Sequence, residues 1–315
     1  MKKTISLAVI VIAVFSFFAG QAKISPLAHP TNDPALTPSS NGQSFQSEPQ
    51  VKNIVLPNKV RLEYVEQGQA DGIPVIFLHG LTDSWHSYEY VLPHLPANIH
   101  AYVLSQRGHG NSDRPLNGYL PYDFSSDLAA FMDTLNIKDA VIVGHSLGGT
   151  IAQRFALDHP SKLRALVLAG SFSSYRNRPD MLVFRNLVAE LRDPIDPQFA
   201  AGFQQSTIGT PIPQAYLDTL VNESLKVPAR VWQNVIDGLM EVDYTRDLLA
   251  VKKPTLIIWG DLDAFAPLQD QERLQNAIKG SKLLVYKKTG HAVHWEQHKK
   301  FAEDLLQFIA KLPRQ

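Results

Sequence analysis

A serine framed by glycines, Gly144-His145-Ser146-Leu147-Gly148, follows directly on the apolar, β-branched run Val141-Ile142-Val143. Serine is a weak nucleophile until a base takes its proton, so a hydroxyl meant for chemistry needs a histidine within reach and a carboxylate behind that histidine. A strand that stops at Gly-x-Ser-x-Gly and passes at once into a helix makes a tight turn that lifts the serine clear of the sheet. Gly144 and Gly148 sit where a side chain would collide with the neighbouring strand and helix. Ser146 is the candidate nucleophile.

Eleven histidines could supply the base. His291, in Thr289-Gly290-His291, follows the last apolar run of the chain, and Gly290 frees the loop to aim it inward. His294, one turn further on, is its rival. Read as a metal pair, these two lack a third ligand and a Glu-x-x-His pattern, so no metal is expected. The stretch Trp259-Gly260-Asp261-Leu262-Asp263 offers two orienting carboxylates. Asp263 lies beyond the turn and is the better placed, whereas Asp261 reads as a cap on backbone amides. The run Ala165 to Ala169 is followed by Gly170-Ser171-Phe172, which leaves no acid at that end. The order Ser146, Asp263, His291 is a known triad order. An oxyanion also needs donors, and His79-Gly80 turns the chain so that the Leu81 amide joins the Leu147 amide on one side of a substrate carbonyl. His79 and Gly80 support that loop. The chemistry these groups allow is acyl transfer to serine.

Such groups must be held by elements whose ends converge. Val60 to Glu66 alternates like a half-buried strand. Continuous apolar runs at Pro74–Leu78, Ala101–Leu104, Ala140–Val143, Ala165–Ala169, Thr255–Trp259 and Leu283–Tyr286 read as strands buried on both faces. Helix-period segments such as Ser125–Asn136 and Ile151–Asp158 separate them, and Phe301, Leu305, Phe308, Ile309 and Leu312 share one helical face. Strands alternating with helices predict an α/β fold, a doubly wound and mostly parallel sheet, with ligands beyond the strands' carboxyl ends. Between Ala169 and Thr255 the rhythm breaks. Helical patterns at Met181–Leu191, Gln214–Leu225 and Ala229–Met240 predict an inserted helical lid over about 173–248. Its Met181, Phe184, Leu187, Phe199, Phe203, Tyr216, Trp232, Leu239 and Met240 are expected mostly to pack the helices, with a few lining an apolar pocket.

With 30 basic and 30 acidic residues the chain carries no net charge and no basic block, which argues against a nucleic-acid partner. It has no cysteine, and so no disulfide framework or thiolate site. Met1-Lys2-Lys3 and the apolar stretch Ile5 to Phe18 read as a signal peptide, residues 1–22, with cleavage after Ala22 and export to the periplasm or the medium. An uncleaved membrane anchor is the alternative. Residues 23–50, rich in Pro, Ser, Asn, Gln and Thr, read as a disordered tether ahead of a 51–315 domain.

The assembled motifs resemble the α/β-hydrolase superfamily, in its lidded esterase and lactonase-like branch, from about Val51 to the end of the chain. His79-Gly80, the run Gln106 to Ser112, Gly144 to Gly149, Trp259-Gly260-x-x-Asp263 and Gly290-His291 to Glu296 stand in family order. The resemblance implies a Ser146, Asp263, His291 triad, no cofactor, and a small-molecule ester as substrate. It implies only a structural turn at Arg107 to Ser112, where Ser105-Gln106 replaces the family's frequent acidic residue. Dehalogenases and epoxide hydrolases of this fold use an aspartate at the elbow, so Ser146 argues against both. Carbon–carbon bond hydrolases and cofactor-free perhydrolases share the serine triad and stay open, as does a non-catalytic binding protein of the same fold.

Overall fold

Eight strands form one sheet: β1 (Gln50–Val55), β2 (Arg61–Gln67), β3 (Ile73–Leu78), β4 (Ile99–Leu104), β5 (Ala140–His145), β6 (Leu163–Ala169), β7 (Thr255–Gly260) and β8 (Lys282–Tyr286). Their order is β1-β2-β4-β3-β5-β6-β7-β8 in the computed structural model, which describes residues 49–313. The signal peptide and all but the last two residues of the expected tether lie outside the described residues. Strands β1, β2 and β4 pair antiparallel in turn, and every other pairing is parallel.

Strands β4, β5 and β7 are buried along their whole length because helices cover both faces of the sheet. Side chains still alternate: Ile76, Leu78, Ile142 and Leu166 join the core on one face, while Val75, Phe77, Val141 and Val143 join the other. Helices Pro121–Thr134, Leu147–Asp158 and Leu268–Ala277 pack on the first face, and His298–Ile309 on the second. Strand β1 was not expected. It is an antiparallel edge strand whose residues are largely exposed, so it carries no strong apolar signature.

Four α-helices occupy the long interval between β6 and β7: Pro179–Ala189, Pro197–Ser206, Gln214–Leu225 and Ala229–Met240. A short antiparallel bridge, Ser174 with Asp243, joins the two ends of this segment where it leaves the sheet. The helix Pro197–Ser206 is not among the helical patterns expected from the sequence. Pro197 occupies the first turn, and Asp196 caps it by accepting from the Gln198 amide at 2.8 Å.

Candidate active site

Ser146 sits between β5 and the helix Leu147–Asp158 with φ 50° and ψ −114°, a conformation unfavourable for any residue with a Cβ. Its backbone is held on both sides: its amide donates to the Ala169 carbonyl at 3.0 Å, and its carbonyl accepts from the Thr150 amide at 3.1 Å. The glycines explain how the turn closes. A Cβ on Gly144 would collide with the Gly148 carbonyl, and one on Gly148 with the carbonyls of Leu78 and His79. The helix therefore starts directly against the end of β3, which is where the His79-Gly80 loop begins.

Asp263 follows β7 and is wholly buried. Its Oδ1 accepts from the amides of Phe265 and Ala266, both at 2.9 Å, and its Oδ2 lies 2.9 Å from His291 Nδ1. Two backbone donors thus orient the carboxylate while its other oxygen faces the imidazole. With Nδ1 protonated toward Asp263, His291 keeps Nε2 as the basic nitrogen. Gly170, at the end of β6, is backed by the His291 ring, with an added Cβ falling 3.0 Å from Nδ1, so glycine there makes room for the imidazole. Asp261 is spent elsewhere: it accepts from the Lys288 amide at 2.6 Å at the rim of the sheet. His294 is fully buried, with Nε2 2.9 Å from the Ser87 hydroxyl and its ring against Tyr88 and His145. Burial pushes it down to about 3, so it is a neutral core residue.

The His79 ring bridges two loops. Its Nδ1 donates to the Gly80 carbonyl at 2.7 Å, and its Nε2 accepts from the Gln106 amide at 3.0 Å. Arg107 in turn grips Asp127 through two nitrogens at 2.6 and 2.5 Å, fixing the Arg107–Ser112 turn beneath. Among the described residues, neither the Leu81 amide nor the Leu147 amide has a hydrogen-bond acceptor.

Ser146, His291, Gly80 and Leu81 all line one cavity with about 500 Å³ of atom-free space, open solvent included. Among the described residues, the His291 ring pairs with Asp263 and makes no hydrogen bond to Ser146. Of the residues expected from the inserted segment, Met181, Phe184, Phe203 and Leu239 reach this cavity. Leu187, Phe199, Tyr216, Trp232 and Met240 do not; Trp232, for example, stacks edge-on to Phe199 and Phe203 inside the helical layer. Helix Gln214–Leu225 contributes nothing to the lining.

Comparison with known proteins decides the family. A model of the alpha/beta hydrolase fold matches residues 73–297. The chain belongs to the alpha/beta hydrolase family. It is 27% identical over 295 residues to 2-hydroxymuconate semialdehyde hydrolase of Pseudomonas sp. (strain CF600), covering 84% of this chain and 96% of that protein. It is 28% identical over 255 residues to a non-heme haloperoxidase of Rhodococcus erythropolis, covering 76% and 92% respectively. An esterase from Exiguobacterium antarcticum superposes with a TM-score of 0.76 at 23% identity, over 83% of this chain and all of that one, which speaks to the fold.

This hydrolase also brings to the cavity polar residues that sequence reading missed, Asp83 and Gln204 among them. Asp83, in the loop after Gly80, is buried and accepts from Gln204 Nε2 at 2.9 Å and the Ser87 hydroxyl at 3.2 Å. Burial pushes its carboxyl up to about 7, against those hydrogen bonds. Glu296 lies just behind His291. Its carboxylate accepts from the amides of Gly209, Thr210 and Gly290 at 3.0, 2.7 and 2.8 Å, and from the Thr210 hydroxyl at 2.7 Å. One side chain thereby ties the inserted segment to the residue preceding His291. Asp83 follows a recognisable motif and was open to notice; Gln204 carries no local signal at all.

Proposed function

We propose that this chain is a serine hydrolase that cleaves carboxylic esters, lactones among them, through an acyl-enzyme. The observation that carries the reading is the buried Asp263–His291 pair, 2.9 Å apart, whose histidine lines the same cavity as Ser146. His291 takes the Ser146 proton as Oγ attacks the ester carbonyl, and Asp263 stabilises the imidazolium that forms. The unengaged Leu81 and Leu147 amides receive the oxyanion. His291 then protonates the departing alcohol, and a water it activates releases the acid. The mainly apolar wall from the inserted helices suits an uncharged acyl or alcohol group. We further propose that the protein is exported.

Fluorophosphonate labelling of the purified protein tests the nucleophile, with Ser146→Ala as control. Labelling that survives in Ser146→Ala, or none in the wild type, sinks the serine reading. A panel of p-nitrophenyl esters, lactones and amides, with and without peroxide, tests the substrate. The haloperoxidase relative gives a second reading its support: peroxide-dependent halogenation that outpaces ester hydrolysis would install it in place of the first.

A further inference from the structure

Leu81, the proposed oxyanion donor, sits in a turn that is strained at its centre. The Asp83 amide closes this turn on the Gly80 carbonyl at 3.4 Å, so Leu81 and Thr82 occupy its two central positions. Thr82 has φ 65°, a left-handed value that turns ordinarily give to glycine or asparagine. A β-branched residue stays in such a conformation only where its surroundings over-determine it.

The groups that hold it come from the inserted segment. Thr82 Oγ1 lies 2.9 Å from Ser224 Oγ, on the helix Gln214–Leu225. Ser224 gives its own hydrogen to the Leu220 carbonyl at 3.1 Å, which makes Thr82 the donor of the pair. Gln204 Nε2, on the helix Pro197–Ser206, donates to Ser224 Oγ at 2.7 Å and to Asp83 Oδ1 at 2.9 Å. Asp83 in turn backs the start of the turn, since a Cβ on Gly80 would fall 3.1 Å from its Oδ2. Both neighbours of Leu81 are thus fixed by groups that lead to Gln204 and Ser224. Ser224 is fully buried and does not line the cavity, so any effect of its hydroxyl on turnover passes through the groups it holds.

We infer that Ser224 and Gln204 are positioning residues for ester hydrolysis, holding the Gly80–Asp83 turn so that the Leu81 amide meets the oxyanion. The inference rests on the ester reading and extends it: two of the inserted helices serve the chemistry as well as covering it. A hydrogen bond weakens steeply as its donor swings out of line, whereas the apolar wall binds the ground state regardless. Loosening the turn should therefore lower kcat and kcat/KM together.

The test is steady-state kinetics on p-nitrophenyl butyrate for Ser224→Ala, Thr82→Val and the double variant. Leu217→Ala, a buried residue toward the start of the same helix, serves as a destabilised control. Ser224→Ala and Thr82→Val should each lower kcat by about tenfold or more with KM within about twofold, and the double variant should lose no more than the worse single one. Thr82→Ser, which restores the hydroxyl, should recover most of the loss seen in Thr82→Val. Leu217→Ala should keep its kcat at a lower melting temperature. A kcat that stays within about twofold in folded Ser224→Ala overturns the inference. So does a loss that Leu217→Ala matches at the same melting temperature, or one carried by KM alone. Should Ser224→Ala not fold, Thr82→Val against Thr82→Ser decides by the same criteria. All these outcomes leave the ester reading standing. If the wild type hydrolyses no ester, that reading falls, and the same variants are compared by their rate of labelling with a fluorophosphonate, whose phosphoryl oxygen takes the oxyanion's place. A rate unchanged in Ser224→Ala, or no labelling at all, then overturns the positioning role too.

Discussion

Asp263 and Asp261 are two residues apart and do different work, and the difference lies in what each oxygen touches. Asp263 turns one oxygen to two backbone amides and the other to His291. Asparagine there keeps the shape but presents an amide to an imidazole that must donate, which favours the wrong tautomer. Asp263→Asn should lower kcat on a p-nitrophenyl ester by roughly four orders of magnitude. Asp261→Asn, at a rim cap on Lys288, should change it little. Steady-state kinetics on the folded variants check both, and a large loss at Asp261 with a mild one at Asp263 would reassign the orienting acid.

The elements hold the site by close approach and by one shared carboxylate. Gly148→Ala sets a methyl against the Leu78 carbonyl, and backbone cannot step aside as a flexible side chain can. We expect a loss of about 3 kcal/mol or more in urea unfolding. Gly280, with φ +82° and nothing near an added Cβ, is the contrast. Alanine there should cost only about 1 kcal/mol, the strain of a left-handed backbone. Glu296 bonds to the inserted segment on one side and to Gly290 on the other. Glu296→Ala should free the His291 loop and lower kcat by up to about 100-fold, with a smaller change in KM. A fall confined to KM would make Glu296 a residue of the cavity's cover alone.

Across the molecule, buried titratable groups set how stability responds to pH. His79, His109, His145 and His294 are all buried, and burial holds each below its ordinary value, His109 at about 4 and His294 at about 3. Unfolding lets them bind protons near pH 6.5, so their contribution is present above that pH and is lost as pH falls toward the folded values. Asp83 acts in the opposite sense. Raised to about 7 from 3.8, it holds a proton in the folded state that the unfolded chain releases, which favours folding in acid and is lost as pH rises through 7. Four histidines outweigh it, and the melting temperature should drop between pH 6.5 and 4.5. Asp83→Asn removes the opposing contribution, so its acid decline should be steeper than the wild type's, and relative to the wild type it should gain stability up to pH 8. Parallel melting curves for the two proteins would show that Asp83 does not titrate in this window.

Much of this could be read along the chain. In a parallel sheet all strands point one way, so motifs at the ends of β3, β5 and β7 and after β8 are brought to one edge without knowing any long-range contact. Ser146, Asp263, His291 and the His79-Gly80 loop each carry a local signature of strand end and turn, and each is legible for that reason. The edge strand β1 and the helix Pro197–Ser206 were not, since partial exposure and clustered prolines weaken the periodicity that marks an element. The inserted helices show the sharper limit. Their amphipathic pattern says which side chains are buried, but Phe203 faces the cavity and Trp232 faces its sister helices. Gln204 meets Asp83 across 121 residues of chain, and Glu296 meets Thr210 across 86. Such pairs depend on how separate layers dock, and docking is set by the shape and volume of whole faces, which no run of neighbouring residues encodes.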